Sequence, residues 1–373
     1  MKFNVEGKAF MQQLQAVSKV ISAKNTIRIL DNFLLRIEGD RLSITGSDSE
    51  NVLTAMVPIM DVDGDGAIAV PAKRLLEITK EIDNQPLTVI VNDTTKEIDI
   101  QFLNGHFNFM GVDAADYPEP RLLGEDQKNL QLPTEMVVKG IERTAFAVSP
   151  DTARPVMTGI YWDIHESDVT FVSSDTHKLV KYVNSTKAPG MTASFILPSK
   201  TANILKTLIS KDDDELRITF DAKGGMFEFG DYLLYSVFIN GNYPNYNRVI
   251  PQDNPFRIVA DRASLISSLR RVNLFAPKSS NLLVLHLEQG EMMLTAQDLD
   301  YGTSAEERVM CEYEGNPMVI GFNGVFMVEI LNNIICDDIV LSLSDPARPG
   351  VYSALRQEEG EELTAIQMPM QVI

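Results

Sequence analysis

Asp61, Asp63 and Asp65 alternate with Val62, Gly64 and Gly66 in the run DVDGDG. This places oxygen ligands at positions 1, 3 and 5 and a glycine at 6, as at the start of a calcium-binding EF-hand loop. Position 12 is Ala72, which lacks the bidentate carboxylate, and the flanking patterns are strands, so the run reads as an acidic turn. The four histidines, His106, His165, His177 and His286, have no metal-ligand spacing with Cys or Glu. No glycine-rich phosphate loop is present, and no serine lies in a Gly-x-Ser-x-Gly elbow. Turn carboxylates would support acid/base hydrolysis only if two of them converged in a cleft. The expectation is a protein with no catalytic residues, no metal and no cofactor.

The elements that carry these residues repeat. VTFVSSDTHKLVKYV, from Val169 to Val183, reads as an alternating strand, a polar turn at Ser174–His177 and a second strand. RLSITGSDSE (Arg41 to Glu50) and EMMLTAQDLD (Glu291 to Asp300) have the same form, so the turn aspartates Asp48, Asp175 and Asp298 lie 127 and then 123 residues apart. Pro71 and Pro198 share the 127-residue shift, and Tyr117-Pro118, Tyr243-Pro244 and Met368-Pro369 close successive copies. The chain therefore reads as three copies of one unit, with boundaries expected at 1–128, 129–252 and 253–373.

Each copy is expected to hold two helices packed on antiparallel strands, an α+β fold. The helices are expected at 7–22, within 67–82, at 133–149, within 194–209, at 261–275 and at 322–333, with Pro71 and Pro198 opening the second and fourth. At 373 residues and 44% hydrophobic, the chain can bury a sizeable core. Cys311 and Cys336 make no disulfide framework, and no signal-peptide or membrane-spanning run is present, which points to a soluble cytoplasmic protein with no membrane partner. The net charge of −19 argues against simple nucleic-acid binding unless basic residues are segregated. Five of the six expected helices do carry Lys or Arg. Those are either solvated faces or parts of one basic surface.

SSDTHKL (Ser173 to Leu179), NYPNYNRVIP (Asn242 to Pro251), IGFN (Ile320 to Asn323) and MPM (Met368 to Met370), on the threefold repeat, resemble the bacterial sliding-clamp family, the beta subunit of DNA polymerase III. The resemblance covers the full chain. It implies three tandem DNA-clamp domains, a ring-shaped head-to-tail homodimer, and sequence-independent passage of double-stranded DNA through the ring. It also implies, as partners, the polymerase III catalytic subunit, the clamp loader and other replication and repair proteins. A ring holds DNA by topology, so its contacts can stay weak and backbone-directed, and the acidic exterior ceases to be an objection. The remaining alternatives are a repeat-built protein scaffold that does not bind DNA and, less well matched, an acid/base hydrolase.

The resemblance places Lys24, Arg28, Lys73, Arg143, Arg154, Lys200 and Lys206 at DNA. It makes Met157, Thr176, His177, Lys178, Leu179, Pro244, Arg248, Val249, Ile366, Met368, Pro369 and Met370 the walls of a groove for partner peptides. Phe107 and Phe109, pointing outward from an edge strand, are expected to meet Val272, Leu274 and Phe275 of a second copy. Two departures stand out. Pro155 and Val156 follow Arg154 where relatives carry aromatic residues, and the chain ends Gln371-Val372-Ile373 instead of with a basic residue and leucine.

Overall fold

The computed structural model describes residues 1–82, 84–118 and 123–372. Two compact units emerge: Met1–Thr134 with Asn203–Phe238, and Glu135–Ala202 with the chain from Ile239 onward. Each of four antiparallel sheets lies inside one unit.

Six α-helices occur among the described residues: α1 (Gly7–Ser18), α2 (Ala72–Glu81), α3 (Thr134–Thr144), α4 (Ser199–Leu208), α5 (Arg262–Asn273) and α6 (Gly324–Asn333). In α1, Phe10, Leu14 and Val17 recur at helical spacing and are fully buried, while the Glu6 carboxylate accepts from the Ala9 N–H. The helix stops at Ser18, short of the expected Ser22, because the N–H groups of Lys19, Val20 and Ile21 tighten onto carbonyls three residues back. Pro71 and Pro198 are each the last residue of a strand, one position before their helices. Asp261 caps α5 by accepting from the Ser264 N–H, and Asn323 caps α6 by accepting from Val325 and Phe326.

The three turn aspartates do the same local work. The Oδ1 of Asp48 accepts from the N–H groups of Glu50 and Asn51 (3.1 and 2.7 Å). That of Asp175 accepts from His177 and Lys178 (2.9 and 2.8 Å), and that of Asp298 from Asp300 and Tyr301 (3.0 and 3.3 Å). The side chain replaces a carbonyl in closing the turn, which is why Asp recurs there.

The strand after each aspartate has a distinct fate. In the first unit, Asn51–Pro58 pairs with Tyr232–Val237 at the centre of a nine-stranded sheet, with Leu53 opposite Leu234. In the second unit, Lys178–Asn184 pairs with Glu361–Gln367 at the centre of another nine-stranded sheet, with Val180 opposite Ala365. The third such strand, Thr303–Met310, is an open edge of a four-stranded sheet. Gly105–Met110 is likewise an open edge, of the five-stranded sheet.

Candidate partner-binding cleft

In the second unit the turn after Val169–Ser174 borders a cleft of about 290 Å³. Its lining is Met157, Ser174, Thr176, His177, Lys178, Leu179, Tyr243, Pro244, Asn245, Tyr246, Val249, Ile366 and Met368. Nine of the twelve residues expected in a groove are thereby brought together. The other three, Arg248, Pro369 and Met370, are not among the lining residues. Arg248 sits exposed on a single 3-10 turn. The tail leaves the cleft after Met368, because the N–H of Met370 donates to the Gly321 carbonyl (2.8 Å) and bridges to the neighbouring sheet. Ile373 lies outside the described residues.

The cleft floor is apolar. Val172, Leu179, Tyr246 and Ile366 form a buried cluster against which Tyr161 and Tyr243 pack. Tyr161 and Tyr243 stack with centroids 4.8 Å apart and planes within 3°. Burial pushes the Tyr246 hydroxyl well above its usual pKa, and that hydroxyl donates to the Asp163 carboxylate at 2.7 Å. Met157 is half-buried, while Met368 and Val249 are exposed at the rim. A cleft of this size suits a few apolar side chains of an extended peptide, and methionines at its margin can repack around different ones. By contrast, an opening of about 510 Å³ in the first unit is ringed by Arg36, Glu38, Arg41, Glu228 and Asp231.

The wall residues are positioned by three backbone devices. The turn from Asp175 presents Thr176, whose φ is +78°, and His177. The His177 carbonyl accepts from the Met368 N–H at 2.8 Å, fixing the opposite wall. Behind Met368, the buried Gln367 side chain donates to the Asn323 carbonyl and accepts from the Tyr352 hydroxyl. Tyr243, Asn245, Tyr246 and Ser174 were not foreseen as lining. The Tyr-Pro pair that recurs at Tyr117-Pro118 and Tyr243-Pro244 was the available signal.

The residues expected at DNA are distributed over both units. Lys24 and Arg28 are exposed after α1, and Lys73 is exposed on α2, 4.0 Å from Glu77. Lys200 and Lys206 are half-buried on α4. Arg154 is exposed, 3.7 Å from Asp151, whereas Arg143 is half-buried and donates to the Asn333 carbonyl at 3.3 Å. Lys139, one of the helix cations, is engaged by Glu135, Glu358 and Glu361 at 3.2, 3.2 and 2.7 Å.

Of the expected interface residues, Val272 needs correction. Val272 is buried, 1% exposed, because it continues the inward stripe of Leu265 and Leu269 on α5, and only Leu274 and Phe275 beyond it are exposed. Phe107 is 37% exposed and Phe109 is half-buried. They sit opposite Ile100 and Ile98, on the same buried face, at its open margin, where Phe107 stacks on Phe102 at 5.1 Å. No group of three or more His, Cys, Asp or Glu among the described residues is arranged to hold a metal. No described helix is long and apolar enough to cross a membrane.

Three copies of an α+β unit joined through continuous sheets, with an apolar peptide-sized cleft, define a DNA-clamp type of protein. Residues 1–122, 131–245 and 247–371 match the N-terminal, central and C-terminal domains of the DNA polymerase III beta subunit. The beta sliding clamp of Synechococcus elongatus is 29% identical over 369 residues, covering 96% of each chain. A sliding clamp from Pseudomonas aeruginosa, solved bound to griselimycin, superposes with a TM-score of 0.94 at 25% identity over the whole of both chains. That from Caulobacter crescentus gives 0.91 at 27%, again over the whole of both. The chain belongs to the DNA polymerase III beta subunit family.

Proposed function

We propose that this chain is a DNA sliding clamp: a non-catalytic, cytoplasmic processivity factor that closes around duplex DNA as a head-to-tail homodimer. Its domains run 1–128, 129–252 and 253–373. The cleft tethers the polymerase III catalytic subunit, and it also serves the clamp loader and other replication and repair proteins.

The observation that carries this reading is the pair of unfilled strand positions. Gly105–Met110 stands one repeat before Tyr232–Val237, and Thr303–Met310 stands one repeat after Lys178–Asn184. Within the chain, each strand that follows a turn aspartate is paired with a member of the first series, except the last. Thr303–Met310 therefore lacks its partner, and Gly105–Met110 is the one left over. Pairing them between two copies satisfies both edges, and doing so twice closes a dimer. Carried over from Leu53 opposite Leu234 and Val180 opposite Ala365, the register sets Phe107 opposite Ala305. Exposed Leu274, Phe275 and Met310 supply apolar surface for that junction.

A closed ring holds DNA by linkage, so binding is tolerant of sequence and depends on DNA topology. Lys24, Arg28, Lys73, Arg143, Arg154, Lys200 and Lys206 supply the phosphate-facing charge in this reading. The test is retention of the loaded protein on nicked circular DNA before and after linearisation. Release on cutting is expected. Equal retention on both forms, or none on either, refutes the clamp and leaves the protein scaffold.

A further inference from the structure

We infer that Glu329, on α6 and outside the cleft, is a positioning residue for the cleft and acts through Lys178; the inference rests on reading the cleft as the partner site. The Lys178 side chain is only 5% exposed. Its Nζ lies 2.6 Å from Asp175 Oδ2, 3.1 Å from Glu329 Oε2 and 4.1 Å above the Phe326 ring centroid. An ammonium this deep must be compensated by charge and hydrogen bonding, so the two carboxylates and the ring share it.

Asp175 is thereby held at both oxygens. Oδ2 meets the ammonium, and Oδ1 accepts the His177 and Lys178 N–H groups that close the turn. That turn presents Thr176, in a left-handed conformation unusual for a β-branched residue, and His177, whose ring stacks on Phe326 at 5.9 Å. Because the His177 carbonyl also receives the Met368 N–H, a shift of the turn moves both cleft walls.

The other two copies are an internal control. Asn51 and, in the strand register, Thr303 stand where Lys178 stands; neither is a cation, and both turns still form with their aspartate bonds. Asn51 Nδ2 binds back to Asp48 at 3.2 Å, and Thr303 is exposed. The ammonium is therefore not needed to make the turn. It occurs in the copy that bears the cleft, where it fastens the turn to α6.

The test uses the full chain and a fluorescent synthetic peptide with leucine anchors suited to the apolar cleft floor, with affinity read by anisotropy. Glu329→Gln is expected to weaken binding about three- to fivefold, with the fold retained by circular dichroism, and Glu329→Asp to restore most of it. Wild-type affinity should fall with added salt more steeply than that of Glu329→Gln, since only the former has the partly exposed Glu329–Lys178 pair, which salt can reach, beside the buried Asp175–Lys178 pair that both keep. Lys178→Met should weaken binding further, and the double variant should bind no worse than Lys178→Met alone. Wild-type affinity in Glu329→Gln, or losses that multiply in the double variant, would overturn the inference alone. No capture of the peptide by the wild type would instead remove the reading of the cleft, and the inference with it.

Discussion

Leu53 faces Leu234 across the seam of the first nine-stranded sheet, and Phe107 is the counterpart of Leu234 one repeat earlier, paired with Ile100 on one side and with no strand on the other among the described residues. The same register places Asn108 opposite Ser304 of a second copy. Asn108→Cys combined with Ser304→Cys should therefore form an intermolecular disulfide on mild oxidation, giving a covalent dimer on non-reducing gels. Either single variant should not, since Cys311 and Cys336 are only half-exposed and burial raises both thiols above their usual pKa. Phe107→Asp should reduce the mass in solution to that of one 41.5 kDa chain. A dimer that persists in Phe107→Asp, with no crosslink in the double-cysteine variant, would place the interface elsewhere.

Charge reversal at Lys24 and Lys200 should lower retention on circular DNA roughly tenfold at physiological salt and flatten its salt dependence. Retention indistinguishable from wild type across a salt series would exclude these residues from the DNA surface. Circular dichroism would verify that the fold survives.

The Tyr243 hydroxyl is buried and makes no hydrogen bond, although its ring stacks on Tyr161. Tyr243→Phe keeps the stacking and removes an unsatisfied polar group, so it should raise stability by about 1 kcal/mol. Tyr243→Ala also removes the ring and should cost about 3 kcal/mol. Urea denaturation compares the three proteins, and a destabilised Tyr243→Phe would reveal a hydrogen bond formed in solution.

Glu307 accepts from the guanidinium of Arg271 and the hydroxyl of Ser268, which hold its pKa down at about 2 against an ordinary 4.5. A depressed carboxylate stabilises the fold fully above pH 4.5 and progressively less as the pH falls toward 2. Because Arg271 is well exposed, solvent screening limits the pair to about 1 kcal/mol. Glu307→Gln should therefore trail the wild type at pH 6.5 in thermal melts and lose most of that deficit by pH 3. A deficit that stays constant with pH would show that the carboxylate charge contributes nothing.

The parts of the fold readable in the sequence were those decided locally. An aspartate that closes a turn through its own side chain leaves a mark in every copy, so Asp48, Asp175 and Asp298 gave away the repeat. Phe10, Leu14 and Val17 likewise announced the buried face of α1. What stayed hidden depends on partners far along the chain. Val272 looks like any apolar helix residue until the phase of α5 against its sheet is known. Lys139 reads as a free helix cation until Glu358 and Glu361 close on it. The open edge at Thr303–Met310 was illegible because alternation marks a strand without saying whether it has a neighbour. The cleft was half visible: family motifs pointed to its walls, but its tyrosine floor joins a strand residue, Tyr161, to Tyr243 and Tyr246 of a loop and 3-10 turn more than eighty residues later.

Pairing Lys178–Asn184 with Glu361–Gln367 also sets a schedule for biosynthesis. Leu179 leaves the ribosome well before Ile366, the residue it will face. At about 5–20 residues per second, that gap lasts roughly ten to forty seconds. For that interval the nascent chain carries an unpaired strand beside an apolar floor, a natural target for holdase chaperones. It also follows that the cleft cannot capture a partner while translation of the final third is still under way.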